Sequence, residues 1–139
     1  MAFLIDTCVL SELSKPSPAA SVVRWLEAND EGAMRLSALT VGELRFGVAK
    51  LPAGARRRRV ERWVEDVELR FADHILPVGT REARRWGELR ARLRARGITL
   101  PVVDGLVAAT ADVNGLTLVT RNVRDVAATG VRIVDPFAG

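Results

Sequence analysis

Short, mostly apolar runs that end in polar residues alternate along this 139-residue chain with longer segments whose apolar residues recur at spacings of three and four. This alternation restricts the fold more than any other feature. A short apolar run has the length of a strand buried under helices, and the longer repeat is the inward face of an amphipathic helix. The strand candidates are Ala2 to Ile5, Met34 to Leu36, Ile75 to Val78, Leu116 to Val119 and Val131 to Val134. Between them, Ala19, Val22, Val23 and Leu26 form one stripe, and Val41, Leu44, Val48 and Leu51 a second. Val60, Trp63, Val64, Val67 and Phe71 form a third stripe, and Ala83, Trp86, Leu89 and Leu93 a fourth. The segment Val102 to Val113 is apolar nearly all round and rich in alanine, which predicts a helix packed closely against the sheet. Strands and helices in this order predict an α/β fold, a mostly parallel sheet with helices on both faces.

With 48% hydrophobic residues the chain can bury a sizeable core, and residues 1–139 are expected to form one domain. No apolar stretch approaches the roughly 20 residues needed to cross a bilayer. The N-terminus MAFLIDTC meets a charge too early for a signal peptide, so a cytoplasmic protein is expected. The single cysteine, Cys8, cannot form an internal disulfide, and is expected to be a small buried filler.

In parallel sheets ligands collect beyond the carboxyl ends of the strands, where the strand order reverses. Asp6 ends the first strand candidate directly, and Asn122 and Asp125 follow the strand Leu116 to Val119 in the same way. Glu43 is expected in the first turn of the helix after Met34 to Leu36, and Asp104 in the first turn of the apolar helix. Each has a structural alternative. Thr40-Val41-Gly42-Glu43 reads as a capping box, Asn122 and Asp125 as an N-cap with its partner three residues on, Asp104 as an acid favoured by the helix dipole, and Asp6 as a turn or cap residue. Their coincidence is what capping does not explain, because carboxylates gathered at one sheet edge repel one another and call for a cation. Asp104 interrupts an apolar helix, and an acid near a core is costly unless paired or metal-bound. Oxygen donors without a histidine or cysteine grouping select Mg2+ or Mn2+ over zinc. Such an ion can activate water against a phosphodiester.

Lys and Arg number 21 against 17 Asp and Glu, and only Lys15 and Lys50 are lysines, so the net charge of +4 is carried almost wholly by guanidinium groups. Arginine's planar fork suits phosphate. Arg56 to Arg59 open one helix, and Arg81, Arg84, Arg85, Arg90, Arg92, Arg94 and Arg96 crowd another. These are either a surface that tracks a nucleic-acid backbone or solvated charge, and Arg45, Arg81, Arg85 and Arg121 are the candidates for that binding. His74 stands far in sequence from the acids and is expected to be structural, which argues against a histidine-based triad.

The order of IDTCVLSEL at Ile5 to Leu13, SALTVGELRFGV at Ser37 to Val48, DGLVAATA at Asp104 to Ala111, LVTRNVRD at Leu118 to Asp125 and the closing VDPF at Val134 to Phe137 resembles the PIN domain. More narrowly, it is similar to the VapC toxins of toxin–antitoxin pairs. The resemblance implies a three-layer α/β/α sandwich, one or two Mg2+ or Mn2+ ions, and endonucleolytic cleavage of RNA, such as a transfer RNA or a ribosomal RNA loop. It implies metal-binding and catalytic roles for Asp6, Glu43 and Asp104, with Asn122 where the family has a fourth acid and Asp125 as the carboxylate that could replace it. Thr7 and Thr120 match hydroxyl positions able to bond ligand waters. A homodimer and a VapB-type antitoxin are also implied. The rival readings are a receiver-like domain, which lacks its late lysine here, a nucleotide-binding module, which lacks a P-loop and GxGxxG, and a catalytically silent RNA-binding or protein-interaction domain of the same fold.

Overall fold

The computed structural model describes residues 1–138. Five strands, β1 (Phe3–Ile5), β2 (Met34–Ser37), β3 (Ile75–Leu76), β4 (Thr117–Val119) and β5 (Ile133–Val134), form one sheet in the order β3-β2-β1-β4-β5. Every pairing is parallel. The helices are α1 (Thr7–Leu13), α2 (Ala20–Ala28), α3 (Ala38–Ala49), α4 (Ala55–Arg70), α5 (Thr80–Ala95), α6 (Val102–Val113) and α7 (Val123–Val126), with short 3-10 turns between some of them.

Side chains alternate across a strand, so the two faces of β1 and β4 bury different residues. Phe3, Ile5 and Val119 join Val9, Val22, Leu44, Val48, Val64, Val67 and Phe71 from α1 to α4 and the turn after α4 in one core. Leu4 and Leu118 join Val107, Ala108, Ala111 and Val126 from α6 and α7 in the other. The result is the expected three-layer α/β/α sandwich with a parallel sheet. Among the described residues no helix is long and apolar enough to cross a membrane.

Strand order decides where a ligand can bind. From β1 the chain steps outward through β2 and β3, then returns to the other side of β1 for β4 and β5. The order therefore reverses between β1 and β4, and the crevice beyond their carboxyl ends is open to a ligand. Asp6 leaves β1 there, its backbone N–H donating to the Val119 carbonyl at 2.9 Å, and Thr120 leaves β4. At the other end of α6 the chain turns through Gly115, whose φ of 66° is the left-handed conformation that ends helices, and Leu116 N–H closes the turn on the Ala111 carbonyl at 2.8 Å.

Two local readings change. Helix α3 begins three residues earlier than its capping-box signature implies: Ser37 is the N-cap, its hydroxyl accepting from Leu39 N–H at 3.1 Å, and Thr40 is fully buried inside the helix. Glu43 is thus in the second turn and free of any capping duty. In α5 the stripe runs through Glu82 rather than Ala83, which is exposed. Glu82 turns inward because its carboxylate accepts from Gly79 N–H at 3.0 Å and caps the helix start.

Helices α5 and α6 pack at close range through Gly105. A Cβ there would stand 2.9 Å from Cδ1 and Nε1 of the Trp86 indole. Gly105→Ala gains about 1 kcal/mol of helix propensity, but overpacking costs about 1–3 kcal/mol, so a net loss is expected. Gly105→Val adds bulk and β-branching and loses more. Urea midpoints that fall from wild type through Ala to Val support this packing, and an unchanged midpoint in both contradicts it.

Candidate active site

Asp6, Thr7, Cys8, Glu43, Asp104, Arg121 and Asn122 line one open cavity of about 510 Å³ at the switch point. Four segments meet there: the β1–α1 junction, α3, the first turn of α6 and the β4–α7 junction. Glu43, Asp104 and Asn122, 37, 98 and 116 positions downstream of Asp6, are brought to it by the second turn of α3, the first turn of α6 and the β4–α7 junction.

Each carboxylate is held by a neutral donor rather than by a cation. Asp6 Oδ1 accepts from Thr7 N–H at 2.9 Å, and Oδ2 accepts from the Thr120 hydroxyl at 2.7 Å. Asp6 therefore does cap α1, as one alternative held, while its second oxygen faces the cavity. Thr7 Oγ1 donates to Glu43 Oε1 at 2.6 Å and lies 3.0 Å from Thr40 Oγ1. A hydroxyl has one proton to give, so Thr40 supplies the second bond and orients Thr7 toward the glutamate. Asp104 Oδ2 accepts from Asn122 Nδ2 at 3.1 Å. The Asn122 side chain is thereby spent on Asp104 and does not cap α7. Thr120 ties the two halves together, because its hydroxyl also accepts from Asn122 N–H at 3.0 Å.

The electrostatics reflect this crowding. Burial pushes the Asp104 carboxyl above the usual carboxylate range, and the negative charges of Asp6, Asp125 and Glu43 push it further, against the opposing bond from Asn122. Burial raises the Cys8 thiol as well, helped by the charge of Asp6. Cys8 is half-buried, with Sγ 3.6 Å from both Asp6 Oδ2 and Thr120 Oγ1, so it lines the cavity and is not a buried filler.

The other candidates divide. Asp125 is exposed and lies outside the cavity lining, although its charge is felt at Asp104. Arg45 is ion-paired with Glu68 and ties α3 to α4. Arg85 pairs with Asp112 at 2.5 Å, and Arg81 bonds the Asn114 side chain at 3.1 Å. Both contacts are at the carboxyl end of α6, roughly 12 Å of helix from Asp104. Arg121 alone of the four lines the carboxylate cavity. Sequence reasoning gave no special place to Arg90 and Arg94, which line a smaller cavity of about 240 Å³ with Trp86 and Gly105 beside Asp104; only the antiparallel packing of α5 on α6 brings them there. His74 Nδ1 lies 3.1 Å from the Met34 carbonyl oxygen and 3.2 Å from an Arg35 guanidinium nitrogen, and bonds one or the other according to its tautomer, at the amino ends of β2 and β3, away from the acids.

The donor set fits a hard cation. All the carboxyl and amide oxygens are presented without a partner lysine or arginine in ion-pair contact, and the mutual repulsion that raises Asp104 is what a bound dication relieves. Among the described residues no three His, Cys, Asp or Glu side chains close on a common point as a full ligand cage.

A parallel sheet with acids gathered at its switch point is what a PIN-type domain has, and the sequence profile of the PIN domain matches residues 3–129. The chain belongs to the PIN domain family. Within it the chain is of the VapC type: it is 36% identical over 135 residues to VapC ribonuclease Y4jK of Sinorhizobium fredii, covering 96% of each chain. The crystal structure of FitAcB from Neisseria gonorrhoeae superposes with a TM-score of 0.92 at 34% identity, covering 97% of this chain and 98% of that one. VapBC-5 of Mycobacterium tuberculosis, a member of the VapBC family of toxin-antitoxin systems, superposes with a TM-score of 0.72 at 28% identity, over 96% of this chain and 97% of the other.

Proposed function

We propose that this protein is a Mg2+- or Mn2+-dependent endoribonuclease, the toxin of a VapBC-type pair, that hydrolyses phosphodiester bonds in structured RNA such as a transfer RNA or ribosomal RNA loop. The observation that carries the reading is the meeting of Asp6, Glu43 and Asp104 in one open cavity, with no protein cation paired to any of them. Asp6 and Asp104 hold the ion, and Glu43 joins them directly or through water. When bound, the ion supplies the Lewis acidity that phosphodiester hydrolysis requires. Thr120 and Thr7 fix Asp6 and Glu43 in place, and Asn122 orients Asp104. Cells inducing the wild-type protein are expected to show new RNA 5′ ends that are missing with Asp104→Asn. New 5′ ends in neither would favour the silent domain that Asn122, in the family's fourth acidic position, allows, and the same new ends in both would remove Asp104 from the cutting site.

The same reading gives the protein a VapB-type antitoxin, a homodimeric state and a cytoplasmic location. It also ranks two residues. Asn122 contacts Asp104 and lines the cavity, whereas Asp125 acts only through its charge. Asn122→Ala is therefore expected to lower cleavage by about 10-fold or more, and Asp125→Ala by less. Steady-state cleavage of a labelled RNA measures both, and the opposite order would make Asp125 the replacement ligand.

A further inference from the structure

The VDPF segment after β5 has no part in the site as described, yet its phenylalanine touches the cavity's one arginine. Arg121 Cζ lies 4.5 Å from the centroid of the Phe137 ring, within cation–π range. A guanidinium at the rim of a carboxylate cavity would be expected to fold onto Asp6, Glu43 or Asp104. Arg121 makes no such ion pair among the described residues. Its guanidinium lies against an aromatic face, and the acid that feels its charge is Glu12, outside the cavity, with no ion-pair contact, which leaves the cavity acids for a cation and the N–H donors of Arg121 without a carboxylate in contact among the described residues.

Both members of the pair are anchored. Arg121 N–H donates to Cys8 Sγ at 3.5 Å, directly after the buried Thr120. Phe137 N–H donates to Asp135 Oδ1 at 2.9 Å, the Ser21 hydroxyl donates to the Phe137 carbonyl at 3.5 Å, and the ring packs against the larger core. The seat is therefore part of the folded frame and not a chance approach of two surface side chains.

We propose that Arg121 binds an RNA phosphate at the mouth of the cavity, and that Phe137 is the positioning residue that holds its guanidinium off the carboxylates and ready for that phosphate. This rests on the nuclease reading and gives one arginine of that reading a defined place and support. An anionic backbone entering a cavity of three carboxylates needs a fixed positive group at the rim, and a guanidinium already held in place loses less freedom on binding.

The test is a double-mutant cycle on the full chain with Mg2+ and a fluorescently labelled RNA substrate, measuring kcat and KM over a series of KCl concentrations, with melting curves to establish that each variant folds. Phe137→Leu keeps the packing but removes the π face, and is expected to raise KM about three- to tenfold with little change in kcat. Arg121→Met is expected to raise KM about 10-fold or more and to flatten the salt dependence by about 0.7 log units per log unit of salt, one phosphate contact on a single strand. In the Arg121→Met background Phe137→Leu should add nothing, whereas with Arg121 intact Phe137→Trp, which keeps a π face, should hold KM near the wild-type value. Additive effects, or a Trp variant as poor as Leu, overturn the proposal while leaving the nuclease intact. If the wild type cuts no RNA, the nuclease reading fails instead. The seat itself is still read by NMR, as an upfield ring-current shift of the Arg121 δ-methylene that Phe137→Leu abolishes; a δ-methylene without that shift in the wild type rules the seat out.

Discussion

Asp104→Asn is expected to raise the melting temperature of the metal-free protein and, in the same preparation, to lower RNA cleavage by at least about 100-fold. Both effects come from one cause. In the folded chain burial and the charges of Asp6, Asp125 and Glu43 hold the Asp104 carboxyl above its ordinary range. A carboxyl whose folded pKa exceeds its unfolded value binds more protons in the folded state across the window between them. Stability therefore falls as pH rises through that window, and the penalty is complete above the folded pKa. Asparagine has the same shape, keeps an oxygen for the bond from Asn122 Nδ2, and removes the charge. The penalty should disappear, and on the proposed reading so should the affinity for a dication. Wild-type melting temperature should accordingly climb with added Mg2+, by ligand linkage, and the variant's should climb much less. Differential scanning fluorimetry at pH 7, with and without Mg2+, reads both slopes. A variant that melts lower than wild type without metal, or that still cuts RNA at the wild-type rate, would remove Asp104 from the ion site.

Glu12 gives the opposite sign on the same scaffold. The Lys15 ammonium, bonded at 2.8 Å, and the Ala19 N–H, also at 2.8 Å, hold the Glu12 carboxyl below its usual range. Its contribution to stability is present above the unfolded pKa and is lost as pH falls through the folded one. Glu12 is a carboxylate satisfied by the fold, with a cation and a backbone donor of its own. Asp104 is satisfied by neither, and this contrast separates a structural acid from one held for a ligand.

What the sequence makes legible follows from locality. Strands and helices are read from apolar spacing because burial on one face is imposed along the chain, and Asp6, Glu43 and Asp104 stand out because each follows a strand or opens a helix. The limits of α3 were less legible, since Thr40 and Glu43 have the spacing of a capping box; only the buried position of Thr40 beneath Thr7 shows that its hydroxyl serves the site. The arginines were the least legible. Arg45 and Arg85 find Glu68 and Asp112, 23 and 27 residues away, and a pairing of that kind is set by how α3 meets α4 and α5 meets α6. Composition records that there are many guanidinium groups, but not which of them has already been neutralised. Arg121 differs from them because its neighbour is an aromatic ring from the far end of the chain.

Thr120→Val is the second variant expected to lose most of the activity, by about 10- to 100-fold, although Thr120 offers no charge and the change is close to isosteric. Thr120 is 0% exposed, so valine fills the same volume and opens no cavity. What it removes is one hydroxyl with three partners, of which Cys8 Sγ at 3.6 Å is the weakest. Asp6 Oδ2 loses the donor at 2.7 Å that aims it into the cavity, and Asn122 N–H loses its acceptor at 3.0 Å. The half-buried amide costs about 1 kcal/mol when left unpaired, so the fold survives with a modestly lower melting temperature. The larger consequence is positional. Asp6 keeps the Thr7 N–H on Oδ1 but can swing its other oxygen, and Asn122, which orients Asp104, loses the anchor of its own backbone. Two carboxylates from opposite sides of the β1–β4 crevice thus lose their alignment through one atom. A misaligned site binds its ion more weakly, so the Mg2+ concentration for half-maximal cleavage should rise, and high Mg2+ should recover part of the rate. Thr120→Ser, which restores the hydroxyl without the methyl, should recover most of it at any Mg2+ concentration. If Val and Ser behave alike, the methyl and not the hydroxyl matters, and the crevice is aligned by packing alone.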